Sequence, residues 1–205
     1  MRIYLVTDER LLLGKDLYRT VEAAVKGGVS MVQLREKESS TREFVERAIR
    51  LKEVLTPYGV PLIINDRVDV ALAANADGVH VGQSDMPYEM VKRLLPEGKI
   101  IGLSVESPEQ VLEANNYDLD YVAASPVFST TTKTNTIVEW GLDGLRWIRS
   151  VSRHPLVAIG GIHSNNVASI CKAGADSVAV ISAIVSADDP ERAARELLEK
   201  SGEPH

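Results

Sequence analysis

Eight short runs rich in Val, Ile, Leu and Ala recur along this chain, at 3–6, 29–34, 61–64, 78–81, 100–103, 121–124, 156–159 and 177–181. Each is four to six residues long with little polar alternation, the pattern of a strand buried on both faces. Between them, 17–26, 41–55, 89–95, 108–114, 142–151, 165–172 and 190–198 gather apolar residues on one helical face. In 41–55 that face is Phe44, Val45, Ala48, Leu51 and Leu55. Ser40, Ser107, Ser164 and the Asp189-Pro190 pair stand where helices start, and Gly27-Gly28, Gly59 and Gly174 where they end. Strands alternating with helices require a parallel sheet with right-handed crossovers. Eight such units predict an α/β fold, a closed (β/α)8 TIM barrel, with 1–205 as a single domain. An open doubly wound sheet is the alternative, but no Gly-x-Gly-x-x-Gly fingerprint follows the first run.

Charge and composition narrow the partners. A net charge of −6 argues against a nucleic-acid scaffold, which would carry a basic surface. No apolar run reaches the ~18 residues of a membrane span, so no membrane partner is expected. Asp8 interrupts the first apolar stretch too early for a signal peptide. The one cysteine, Cys171, excludes an internal disulfide, which fits a reducing, cytoplasmic location.

In a barrel, function sits at the C-terminal ends of the strands. There the second run ends in Gln33-Leu34-Arg35-Glu36-Lys37, and Gln33, Arg35 and Lys37 alternate along extended chain, so they point one way. Two cations and an amide in one mouth suit an anion; a surface salt-bridge cluster is the plainer alternative. Asp66 and Asp85 follow the third and fourth runs. Taken singly, each reads as a helix cap. Taken with Arg35 and Lys37, a magnesium diphosphate is the better account, because Mg²⁺ binds through one or two carboxylates plus substrate phosphates. Gly160-Gly161 and Ile181-Ser182-Ala183 end the seventh and eighth runs, where many barrels hold a phosphate on backbone N–H groups. The longest connection, 126–140, carries hydroxyls around Lys133 and reads as a lid over an anion or as a solvated loop. No nucleophilic triad is expected. His80 reads as a barrel-wall residue, His154 as a helix-end residue, His163 as a cap-region residue and Cys171 as core, and no His/Cys cluster points to zinc.

These motifs resemble the thiamine phosphate synthase family from about residue 3 to 198. The parts that carry the resemblance are Tyr-Leu-Val-Thr-Asp at 4–8, Gln-Leu-Arg-Glu-Lys at 33–37, Asn-Asp-Arg-Val-Asp-Val-Ala at 65–71 and Ala-Asp-Gly-Val-His-Val-Gly-Gln-Ser-Asp-Met at 76–86. Pro-Val-Phe-Ser-Thr-Thr-Thr-Lys at 126–133 and Ala-Ile-Gly-Gly-Ile at 158–162 complete it. The resemblance implies a transferase that joins 4-amino-2-methyl-5-pyrimidinylmethyl diphosphate to a thiazole phosphate, giving thiamine phosphate and diphosphate by dissociative loss of diphosphate. It implies that Gln33, Leu34, Arg35, Glu36, Lys37, Asn65, Ser104 and Lys133 bind the pyrimidine diphosphate, with Arg35, Lys37, Ser104 and Lys133 catalytic. Asp66 and Asp85 would hold one Mg²⁺ per subunit, and Thr130, Thr131, Thr132, Gly161, Ile181 and Ser182 the thiazole phosphate. Both substrates are small molecules, and the family leaves room for a homo-oligomer. The sequence departs from the family at Ser125, where a glycine is usual, and at Glu106, often His in relatives. The rival readings are a thiazole tautomerase-like isomerase and a non-catalytic thiazole-phosphate binder; Asp66, Asp85 and Lys133 speak against both.

Overall fold

Ile3 and Leu5 leave the first strand on one face and Tyr4 and Val6 on the other, and all four are buried. That double burial repeats around a closed parallel barrel in which each strand pairs with its sequence neighbours and the eighth returns to the first. The computed structural model describes residues 2–129 and 139–202. The strands are β1 Arg2–Val6, β2 Val29–Leu34, β3 Leu62–Asn65, β4 Gly78–Val81, β5 Ile100–Val105, β6 Tyr121–Ala124, β7 Leu156–Ile159 and β8 Ser177–Val180. The helices are α1 Leu17–Lys26, α2 Thr41–Leu55, α3 Val68–Ala73, α4 Tyr88–Leu94, α5 Pro108–Ala114, α6 Gly141–Val151, α7 Val167–Lys172, α8 Ser182–Val185 and α9 Pro190–Lys200. None of the described helices is long and apolar enough to cross a membrane.

Two apolar layers result from the period-2 alternation. The outer layer packs Ile3, Leu5, Val32, Leu34, Leu62 and Ile64 against the helices. The inner layer is smaller and holds Tyr4, Val6, Ile63, Tyr121, Ala123, Val157 and Ala179. α2 is the longest helix, and its start is secured by a capping box. The Ser40 hydroxyl accepts from the Glu43 N–H while the Glu43 carboxylate accepts from the Ser40 N–H. Loss of such a cap costs about 0.5–2 kcal/mol.

Some expected boundaries shift. β5 runs on through Val105, and β3 reaches Asn65. The short α3 and α8 show no amphipathic pattern in the sequence, because six and four residues are too few to display a 3.6-residue period. Ser164 does not cap α7. The cap is Asn166, whose Oδ1 accepts from the His163 N–H at 2.9 Å.

Candidate active site

The C-terminal ends of the strands surround an open cavity of about 900 Å³. Gln33, Arg35 and Lys37 all line it, as their alternation requires, and Asn65, Asp66, Asp85 and Ser104 join them from β3 to β5. Leu34 and Glu36 alternate the other way. Leu34 is sealed between sheet and helices, and the Glu36 side chain is only 3% exposed, held by Arg47 at 2.8 Å. Neither side chain lines the cavity, because the pleat of the strand turns both away from it, so a contact of Leu34 or Glu36 with a substrate would run through the backbone.

Each cation at the mouth is held by a carboxylate. Arg35 Nη1 donates to Asp8 Oδ2 at 2.7 Å, and the Arg35 N–H donates to Thr7 Oγ1. Lys37 Nζ donates to Asp66 Oδ2 at 2.6 Å. Asp66 stands at φ 62°, a left-handed conformation that Asp tolerates better than most residues. Its N–H donates to the His80 carbonyl, and the next N–H, of Arg67, turns back to the Asn65 carbonyl at 2.7 Å. This tight turn sets the Asp66 carboxylate at the mouth.

Asp85 enters from the next connection, its Oδ2 accepting from the Gly82 N–H at 2.8 Å. Burial raises the Asp85 carboxyl above the usual range, and a hydrogen bond with Asp66 adds to the rise. The two carboxylates therefore share one spot, with Lys37 the cation beside them. Neither is a helix cap: the caps of α3 and α4 are Arg67 and Pro87. With that alternative removed, a hard divalent cation suits the pair. Among the described residues no group of three or more His, Cys, Asp or Glu could hold a metal, so its other ligands would have to come from outside that set.

On the opposite side of the mouth, Gly160 and Gly161 take φ of 104° and 65°. A Cβ on Gly161 would stand 2.8 Å from both Phe128 Cβ and Ser129 O, so the bare backbone lets 126–129 lie against the wall. The N–H groups of Gly161, Ile162, Ser182 and Ala183 find no acceptor among the described residues. Gly161, Ile181 and Ser182 line the cavity there. Trp140 N donates to the Pro126 carbonyl and Gly141 N to the Val127 carbonyl, which ties the two ends of the long connection together. Thr130, Thr131, Thr132 and Lys133 lie outside the described residues.

Sequence reasoning missed the floor of the cavity. His80 does not serve as wall filling; its ring faces the interior, where Nε2 bonds Ser104 Oγ at 2.9 Å and Nδ1 bonds the Tyr121 hydroxyl at 3.1 Å. Tyr121 bonds Tyr4 at 2.9 Å, and Gln33 Nε2 donates to the Tyr4 hydroxyl at 2.7 Å. The available signal was polarity inside the apolar runs: Tyr4, His80 and Tyr121 interrupt three of them. Gln83, Ser125, Glu106 and His163 also line the cavity. His154 is elsewhere, buried against the Leu119 and Ala114 carbonyls, and Cys171 is half-buried against the outer core.

Known proteins resemble this chain in sequence and in fold. Residues 3–184 match the family described as thiamine monophosphate synthase. Over 197 residues the chain is 52% identical to the thiamine-phosphate synthase of Albidiferax ferrireducens, covering 96% of this chain and 90% of that one. The enzyme of the same name from Vibrio campbellii is 50% identical, covering 96% of each chain. The solved structure of thiamine phosphate pyrophosphorylase from Pyrococcus furiosus superposes with a TM-score of 0.89 at 41% identity, covering 98% of this chain and 95% of that one.

Proposed function

The chain belongs to the thiamine monophosphate synthase family, and from that premise we propose that this transferase moves a pyrimidinylmethyl group from diphosphate to a thiazole nitrogen. The first substrate is 4-amino-2-methyl-5-pyrimidinylmethyl diphosphate, bound by Gln33, Arg35, Lys37, Asn65, Ser104 and Lys133 and along the backbone of Leu34 and Glu36. The second is 4-methyl-5-(2-phosphoethyl)thiazole or its carboxylated form, bound by 130–132, Gly161, Ile181 and Ser182. The products are thiamine phosphate and diphosphate.

One observation carries this reading. A single cavity sets cations and paired carboxylates from the first half of the barrel across from N–H groups after β7 and β8 that have no acceptor among the described residues. Two anionic tails can be anchored on opposite walls, which leaves their rings facing each other between them.

Asp66 and Asp85 fit a magnesium ion, because two converging carboxylates crowd each other and Mg²⁺ characteristically takes one or two such ligands plus phosphate oxygens. When bound, it would supply positive charge against the departing diphosphate. Arg35 and Lys37 supply more, donating to the diphosphate oxygens as the methylene C–O bond breaks and its electron pair leaves with the diphosphate. The 4-amino group donates electron density through the ring to the methylene cation, and the thiazole nitrogen lone pair closes the new C–N bond. Val157, Ile159 and Ala179 line the inner wall and keep water from the cation. Holding both partners in register can remove up to ~7–11 kcal/mol of barrier. The step calls for no protein nucleophile.

Incubation with both substrates and Mg²⁺ should yield thiamine phosphate. In a thermal-shift titration the pyrimidine diphosphate should stabilise the protein only when Mg²⁺ is present. A protein stabilised by the thiazole phosphate alone, and forming no product, would instead be the isomerase-like enzyme or the silent binder.

A further inference from the structure

Five side chains from five strands form one buried chain of hydrogen bonds beneath the cavity: Gln33 on β2, Tyr4 on β1, Tyr121 on β6, His80 on β4 and Ser104 on β5. All five are buried, in an interior that apolar side chains usually fill. Room for it is made at Gly102, the β5 residue opposite Tyr121, where a Cβ would stand 2.1 Å from the Tyr121 ring. No buried side-chain nitrogen or oxygen among the described residues lacks a partner, so the chain has no gap within it.

Its direction follows from counting hydrogens. Gln33 donates through Nε2, so the Tyr4 oxygen accepts and the one Tyr4 hydrogen goes to Tyr121. Tyr121 then has its own hydrogen for His80 Nδ1. A ring that accepts at Nδ1 carries its proton on Nε2 and donates it to Ser104 Oγ. The Ser104 hydroxyl hydrogen is left for the cavity. Burial raises both phenols well above their usual range, so they keep the protons this count needs. At the other end, Gln33 lines the cavity, and its second N–H and its Oε1, a donor beside an acceptor, bond none of the described residues.

We propose that Tyr4, Tyr121 and His80 are positioning residues whose one-way chain locks the Gln33 amide and the Ser104 hydroxyl, so that the cavity selects an amino-substituted over an oxo-substituted pyrimidine. This rests on the proposed reaction. An aminopyrimidine presents a ring-nitrogen acceptor beside an amino donor, which is the edge a locked amide matches, as it matches adenine. A 4-oxo ring presents N–H beside C=O. To match it, the amide must turn over, and Tyr4, Tyr121, His80 and Ser104 must each redirect a hydrogen inside a buried network, where unmade bonds are costly.

The test compares kcat/KM for the 4-amino diphosphate and its 4-oxo analogue. Tyr121→Phe, with Tyr4→Phe as a second variant, keeps the ring and breaks the chain. Each should lower the amino-over-oxo preference by about tenfold or more and leave the KM for the thiazole phosphate unchanged. A preference that does not change in either folded variant overturns the proposal; a purely structural role would depress both substrates together. Nitrogen-15 NMR of the free wild-type protein, with His80 assigned by its loss in His80→Gln, should show a proton on Nε2 and none on Nδ1. A proton on Nδ1 overturns the direction of the chain. That measurement needs no substrate, so it still decides the matter if no thiamine phosphate forms and the proposed reaction fails.

Discussion

At the closed end of the barrel, Asp77, Asp120 and Asp176 each stand just before an even-numbered strand and repeat one arrangement. Each carboxylate accepts an N–H of the preceding strand, from Leu62, Ile101 and Leu156 respectively, all at 2.8 Å. Each aspartate's own N–H donates to the carbonyl of that same residue. Lys52 and Arg149 neutralise two of the three. At the mouth, Asp66 and Asp85 follow β3 and β4 instead; they crowd each other, and Asp85 is held above its ordinary range. The same side chain is thus fully occupied with the fold at one end and held ready for a ligand at the other. What separates the two uses is the neighbour: each aspartate at the far end faces a strand N–H, whereas Asp66 and Asp85 face each other.

Variants at the two ends should therefore fail in different ways. The largest effect is expected at the mouth. Lys133→Ala should lower kcat by about 10²–10³ and leave the melting temperature alone; an unchanged kcat removes Lys133 from the reaction. Asp66→Asn, chosen because Asn tolerates the left-handed backbone, should abolish the stabilisation that Mg²⁺ and the pyrimidine diphosphate give together. That stabilisation is about 2.7 kcal/mol at a hundredfold excess over Kd, and a wild-type shift in the variant would refute metal ligation there. Asp176→Ala, at the closed end, should cost about 1–3 kcal/mol of stability by orphaning the Leu156 N–H. Its kcat well below the melting point should match wild type, and a matching loss of kcat would dissolve the contrast between the ends.

The smallest effect has the opposite sign. Because the folded protein holds the Asp85 carboxyl above its unfolded range, ionised Asp85 opposes folding at neutral pH. Asp85→Asn should raise the melting temperature of the ligand-free protein at pH 7. The gain should fade as pH drops below the unfolded carboxylate range, where both states bind the proton. Equal melting temperatures at pH 7 would mean that the mouth carries no electrostatic strain.

Much of this was legible in order along the chain. The eight runs predicted the barrel, and the alternation Gln33, Arg35, Lys37 predicted three side chains of the cavity. The same alternation sends the Leu34 and Glu36 side chains away from the cavity, to the helix layer and to Arg47. Reading Asp66 and Asp85 as caps failed once the helix starts proved to be Arg67 and Pro87. His80 read as wall filling because a lone histidine between two valines gives no hint of what lies across the barrel.

The sequence by itself determined the alternation of buried strand and amphipathic helix, the number of repeats and the polar rim. Those depend on neighbours a few residues apart, through periodicity and capping. Only the tertiary structure decided that Tyr4 meets Tyr121 across 117 residues, that Asp66 presses on Asp85, and that Asp77 and Asp85 have opposite tasks. Closing the barrel brings the inward faces of strands far apart in the chain within hydrogen-bond reach, and no local pattern records which of those faces will meet.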